Sequence, residues 1–120
     1  MARISRPQHR QEGSRLRRGD VCLVGKTRPA LVIQNDVGNQ FSPLTIVAAI
    51  VSKVSPEPFP VEVAVAPNRT NGLSQQSAIR LDQVRTIDRS RVLKRLGAID
   101  AASIRKVDEA IKISLGLIEI

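Results

Sequence analysis

The chain has no Trp, no Tyr and only two Phe, Phe41 and Phe59, in 120 residues. A protein that grips bases between rings would have to use those two side chains or the planes of arginines. Cysteine and histidine are as scarce. Cys22 stands alone, which excludes an intramolecular disulfide and fits a reducing cytoplasm, and His9 is the single imidazole. Without a Cys/His cluster no zinc site is expected, and nothing in the sequence asks for a cofactor. No apolar run approaches the roughly 18 residues that span a bilayer. The N-terminus is basic and polar with no apolar stretch behind it, so no secretory signal is expected either. The chain therefore reads as a cytoplasmic protein with no membrane partner.

Acidic residues are the remaining deficit, 11 against 19 Lys and Arg, for a net charge of +8. Much of that excess is local. In residues 1–18, Arg3, Arg6, Arg10, Arg15, Arg17 and Arg18 are set against Glu12 alone. This stretch has no hydrophobic periodicity and mixes Arg with Gln, Ser, Gly and Pro. It is expected to be a disordered extension, able to attract phosphates nonspecifically. Residues 19–120 lie nearer charge balance and form one domain with a modest core, since 42% of the chain is hydrophobic.

Within that domain the apolar segments have strand length. Residues 20–24 and 29–33 are short apolar runs around Gly25-Lys26, a pair that suits a two-residue type II′ turn and a tight hairpin. Gln34, Asn35, Asp36, Gly38, Asn39, Ser42 and Pro43 have turn and loop chemistry. Residues 44–53 are apolar on both faces, as in a central strand. Pro56, Pro58 and Pro60 break the chain. Val61, Val63 and Val65 then alternate with Glu62 and Ala64 in a half-exposed strand, and residues 77–85 make a fifth. Asp88 is placed to cap a short helix through Arg95, ended by Gly97. Asp100 is placed to cap a last helix with Ile104, Val107, Ile111, Leu115 and Ile118 at helical spacing. Strands on short connections followed by a helix predict a mainly β, antiparallel architecture closed by that helix.

Three stretches carry a family resemblance. Arg28-Pro-Ala-Leu-Val-Ile-Gln-Asn-Asp36, followed by Ser42-Pro43 and Ile46-Val-Ala-Ala-Ile50, resembles the MazF/PemK toxins, the endoribonuclease half of type II toxin–antitoxin pairs. Leu81-Asp-Gln-Val-Arg-Thr-Ile-Asp88 and Lys106-Val-Asp-Glu-Ala-Ile111 are similar to later parts of that family, in the same order. The resemblance spans most of residues 19–120. It implies a small SH3-like barrel of the CcdB/MazF type with a C-terminal helix, and a homodimer with the RNA groove along its interface. It also implies single-stranded RNA as substrate, a cognate antitoxin as partner, and operator DNA bound only through the antitoxin complex.

Metal-independent RNA cleavage uses the substrate's own 2′-hydroxyl as nucleophile, so the protein must move protons and neutralise a phosphorane-like transition state. A guanidinium suits the second task because its fork bridges phosphate oxygens and never deprotonates. Arg28, at a strand end beside a tight turn, is a candidate on those grounds, and the family's Arg-Pro motif implies that it is catalytic. Gln34, Asn35 and Asp36 after the second strand are candidates for lining the groove, as are Asp82, Gln83 and Arg85 on the fifth. Turn formation for the first three, and sheet polarity or an Asp82–Arg85 ion pair for the others, are the plain alternatives. Two features depart from the family. The first hairpin lacks the longer loop that helps form the groove, and Val51 occupies the position after Ala-Ala-Ile where the family carries Thr or Ser. Valine has the shape of threonine without its hydroxyl, so it can neither bond a phosphate nor relay a proton. Impaired cleavage follows. A cleavage-deficient homologue that binds antitoxin, RNA or DNA is the competing reading. Topoisomerase poisoning, as in the CcdB toxins, is a third, and the Arg28 motif speaks against it.

Overall fold

The computed structural model describes residues 15–57 and 59–119. β1 (Asp20–Val24) and β2 (Arg28–Val32) form a hairpin with Val24 across from Arg28. Its turn is Gly25, Lys26 and Thr27, three residues rather than the expected two, and Gly25 takes the positive φ of 67°. β3 (Leu44–Val51), β4 (Glu62–Val65), β5 (Ser77–Asp88) and β6 (Val92–Ala98) complete one sheet in the order β4-β5-β3-β2-β1-β6. Every neighbouring pair is antiparallel.

The sheet curls so that its two ends meet. The Ala98 N–H donates to the Thr70 carbonyl at 2.8 Å, tying the segment after β4 to β6. Gly97 and Gly72 allow this approach, since a Cβ on either would collide with backbone across the seam, at Thr70 and Leu96 respectively. The result is the expected small barrel, closed by α2 (Ala101–Ser114). Val107 and Ala110 of α2 are buried against Val21, Leu31, Ile79 and Leu81. Leu16, Cys22, Ala30, Val32, Val47 and Ile87 form a second, smaller cluster. Residues adjacent along a strand divide between the two clusters, so the sheet is apolar on both faces, as the run from residue 44 predicts.

Four further expectations are corrected. The stretch between β2 and β3 contains a short helix, α1 (Asp36–Phe41), capped by Asn35, whose Oδ1 accepts from the Gly38 N–H at 2.7 Å. Turn formers and N-caps are the same residues, and a six-residue helix is too short to show a period. Asp88 caps only one 3₁₀ turn, Arg89–Arg91, and the chain then continues as β6 instead of the expected helix through Arg95. Pairing with β6 satisfies an edge of β1 that would otherwise be bare, which outweighs the intrinsic helical propensity of Lys94, Arg95 and Leu96, since such propensity yields to tertiary context. α2 ends at Ser114, with Gly116 at φ 76°, so Leu115 and Ile118 fall outside the helix and are exposed. Residues 15–18 belong to the folded body, against the expected boundary after residue 18. Leu16 is buried, and Arg18 donates from its backbone to Asp36 (2.6 Å) and from Nε to the Ile33 carbonyl (2.8 Å), and pairs with Asp108 (2.8 Å). Residues 1–14 of the expected extension lie outside the described residues. No helix among the described residues is long and apolar enough to cross a membrane.

Candidate functional site

In the β2–β3 ladder Ala30 lies opposite Ala49 and Val32 opposite Val47. Carried two residues toward the first hairpin, the same register sets Arg28 across from Val51, both on the face of the smaller cluster. On the other side of β3, Val51 faces Ala78 and Ala49 faces Arg80 of β5. Arg80 in turn faces Glu62 of β4. Sheet pairing therefore collects residues 28, 51, 62 and 80, spread over more than 50 positions of sequence, onto one face of four adjacent strands.

A bulge in β5 shapes this region. Its register with β3 jumps from Ala48–Val84 to Ala49–Arg80, so Leu81, Asp82 and Gln83 are left without partners on β3. Leu81 is buried in the main core and donates its N–H to the Val61 carbonyl (2.9 Å), while Asp82 and Gln83 are exposed. Bulges re-aim side chains in this way. Asp82 does not pair with Arg85. It takes a bidentate bond from Arg80, Nε to Oδ1 at 3.0 Å and Nη2 to Oδ2 at 2.7 Å. That bond holds the Asp82 carboxyl below the usual carboxylate range and raises the Arg80 guanidinium further. Arg85, opposite Val47 on the same face, is exposed. Arg28 is exposed at the head of β2.

Gln34, Asn35 and Asp36 lie at the other end of the ladder. Six residues of strand separate Arg28 from Gln34, roughly 20 Å along an extended chain. Their polar atoms are used internally. Gln34 Nε2 donates to Asn39 Oδ1 (3.1 Å) and to the Leu44 carbonyl (2.9 Å), Asn35 caps α1, and Asp36 Oδ1 accepts from Arg18 and from Asn39 Nδ2 (3.2 Å). Buried Asn39 joins them to β3 by accepting from Thr45 Oγ1 at 2.8 Å. The bulge thus leaves Asp82 and Gln83 nearer the level of Arg28, whereas Arg85, opposite Val47 and so level with Val32, lies four residues along the ladder from it, and Gln34, Asn35 and Asp36 stand beyond that. Arg80 was missed from the sequence, although Arg80 and Asp82 at a spacing of two on a strand share a face. Cys22, on the same face between Ala30 and Arg95, is buried and chemically quiet: burial first, then Asp20, pushes its thiol up to about 12. Among the described residues, no group of three or more His, Cys, Asp or Glu is placed to hold a metal ion.

A small antiparallel barrel, closed by one helix and carrying an Arg-Pro at the head of its second strand, defines a class of toxin fold. Comparison with known proteins narrows the class. The family described as "PemK-like, MazF-like toxin of type II toxin-antitoxin system" matches residues 8–115. The chain is 41% identical over 114 residues to the endoribonuclease EndoA of Bacillus subtilis (strain 168), spanning 87% of this chain and 97% of that protein. It is similar in structure to the Mycobacterium tuberculosis toxin MazF-mt6, with TM-score 0.74 and 25% identity over 83% of this chain and 99% of that one. It is also similar to a chain of the MazE–MazF crystal structure (Form-III) from Deinococcus radiodurans, with TM-score 0.70 and 26% identity over 86% and 98%. The chain belongs to the PemK/MazF-like toxin family of type II toxin–antitoxin systems.

Proposed function

We propose that this toxin is a metal-independent endoribonuclease that cuts single-stranded RNA, with Arg28 as its catalytic cation. One observation carries the reading: the strand register that, carried two residues past Ala30–Ala49, sets Arg28 across from position 51, with Arg80 on the same face of the sheet. In the reaction the 2′-oxygen bonds to phosphorus and the P–O5′ bond breaks. The 2′-proton leaves and O5′ gains a proton, giving a 2′,3′-cyclic phosphate and a 5′-hydroxyl. Arg28 neutralises the charge that grows on the non-bridging oxygens. Val51 offers no hydroxyl for the proton transfers, so these fall to water and the reaction is slow.

The name of the Bacillus relative, an endoribonuclease, supports this activity. The MazE–MazF structure supports a protein antitoxin as partner. In this reading operator DNA is reached only through the antitoxin complex. The exposed Val84, Leu115, Leu117 and Ile118 offer apolar surface for a homodimer. Residues 19–120, with the arm at 15–18, form the toxin domain. Asp82, Gln83 and Arg85 line the groove, while Gln34, Asn35 and Asp36 serve α1. The cytoplasm, where mRNA lies, is the place of action.

Val51 itself favours a second reading, a homologue that binds antitoxin or RNA without cutting. The deciding experiment is incubation of a long single-stranded RNA with EDTA, comparing the wild type with Val51→Thr. The expected result is slow cleavage by the wild type, cyclic phosphate ends, and a rate raised about a hundredfold in Val51→Thr, the low side of what a positioned acid–base group contributes. If neither protein cuts, the endoribonuclease reading fails and the binding reading replaces it.

A further inference from the structure

Arg80 has the surroundings of a ligand-binding residue rather than of an ordinary surface ion pair. Its bidentate bond to Asp82 engages Nε and Nη2 only. A guanidinium has five N–H donors, so three remain, two on Nη1 and one on Nη2. Its side chain is one-fifth exposed (20%), against 40% for Asp82, so the fork is held in place and still reached by solvent. Across the sheet from Arg80 toward Arg28 stand Ala49 and then Ala30, so only methyl groups separate the fork from β2 on that row. Strands lie about 4.8 Å apart, so the backbone positions of Arg80 and Arg28 are two strands, roughly 10 Å, apart across the sheet, offset by two residues along it. An arginine side chain reaches more than half that distance. Glu62, opposite Arg80 on β4, is buried and takes the Ser55 N–H on Oε2 (3.3 Å), so it backs the guanidinium from the far side.

We propose that Arg80 is a second RNA-backbone contact of the groove: Asp82 fixes its plane, and its free N–H edge binds a phosphate over β3, opposite Arg28. The inference rests on the endoribonuclease reading for its ligand, single-stranded RNA. It goes further by naming a cation that compensates for the missing hydroxyl at position 51 in binding, though not in proton transfer. Asp82 acts here as a positioning residue, since its bond decides which N–H groups of Arg80 are left.

The test uses the full chain and a short oligoribonucleotide of mixed sequence, 2′-O-methylated so that it cannot be cut. Binding is followed by fluorescence anisotropy in EDTA from 50 to 200 mM salt. Loss of one phosphate contact on a single strand should lower the slope of log affinity against log salt by about 0.7. Arg80→Gln is expected to show that loss with affinity reduced about tenfold or more, as befits a charge-assisted bond. Arg80→Lys, which keeps the charge without the fork, should keep the slope. Lys112→Gln, on the exposed side of α2, should change neither. The Arg80–Asp82 pair is exposed enough for Arg80→Gln to keep the fold, which the urea midpoint verifies, and Arg80→Met, which keeps the aliphatic stem and should lose the same slope, carries the comparison if it does not. An unchanged slope in Arg80→Gln, or a slope lost equally in Arg80→Lys, overturns the proposal. Cleavage of unmodified RNA separates the two claims. If the wild type cuts but Arg80→Gln binds with an unchanged slope, this proposal fails and the endoribonuclease reading stands. If the wild type binds with an Arg80-dependent slope but does not cut, the reverse holds. If it neither binds nor cuts, both fail.

Discussion

At the end of the β2–β3 ladder far from the first hairpin, Gln34, Asn35, Asp36, Asn39 and Thr45 form a closed polar network. Each side chain has a partner within the network or in the adjoining backbone, and Asn39 and Thr45 are fully buried. At the hairpin end, Arg28 is exposed, and Arg80 keeps three of its five N–H groups uncommitted. In sequence the two groups look alike, both polar residues flanking apolar runs. In the fold, one is a clip that joins α1 to the sheet and the other has bonding capacity left over for something else. Buried polar groups must be satisfied internally or they cost stability. Unspent donors are tolerated only where water or a ligand reaches them, which is why the proposed function is placed at the uncommitted end.

Exchanging damage between the two ends tests that contrast. The largest expected effect is on activity at the hairpin end: Arg28→Gln should slow RNA cleavage by about 10²- to 10³-fold, the range seen when one preorganised transition-state donor is removed. Its urea midpoint should match the wild type, because Arg28 is exposed. Comparable losses of both activity and stability would break the comparison. Next comes Asn39→Ala at the closed end, which strands Thr45, the Gln34 amide and the Gln34 carbonyl at once. It should cost about 1–3 kcal/mol in urea unfolding, with the cleavage rate per folded molecule unchanged. A drop in that rate at constant stability would move the site toward α1.

The smallest expected effect is on the pH dependence of stability. The Asp100 carboxyl is held below its ordinary 3.8, first by the Ser103 N–H and then by the Ser103 side chain. Asp88 is held low in the same way by Ser90. A carboxyl whose folded pKa is depressed contributes stability above its unfolded pKa, and that contribution is lost as pH falls through the folded value. Urea midpoints should therefore be flat in these contributions from pH 7 to about 5 and decline below pH 4. Asp100→Asn, which keeps the cap but cannot titrate, should reduce the acid decline. An identical decline in the variant would assign it to other carboxylates.

Much of this architecture was readable in advance, and the failures share a cause. β1, β3, β5 and α2 follow from apolar periodicity, and Asp100 from its capping position before that period. The Arg-Pro of β2 and the Ile-Val-Ala-Ala-Ile of β3 carried the family resemblance, and with it Arg28. What escaped was set by partners distant in sequence. β6 is a strand because β1 offers it an edge, though Val92 to Leu96 has no decisive pattern of its own. Leu16 and Arg18 read as part of a basic tail until Cys22, Ile33 and Asp108 are placed around them. An Asp82–Arg85 ion pair was one of the alternatives open in sequence, and in the fold Asp82 bonds Arg80 instead.

A mainly β protein with a capped C-terminal helix, its toxin family, and the arginine at the head of β2 were all legible along the chain. These depend on local period, local capping and a contiguous motif, all of which are written along the chain. Only the tertiary structure decided that Arg28 sits across from Val51, that Arg80 joins them, and that Gln34 to Asp36 do not. Sheet register, a bulge and the closure of the barrel make those choices. They arise because each edge donor and acceptor must find a partner from another part of the chain.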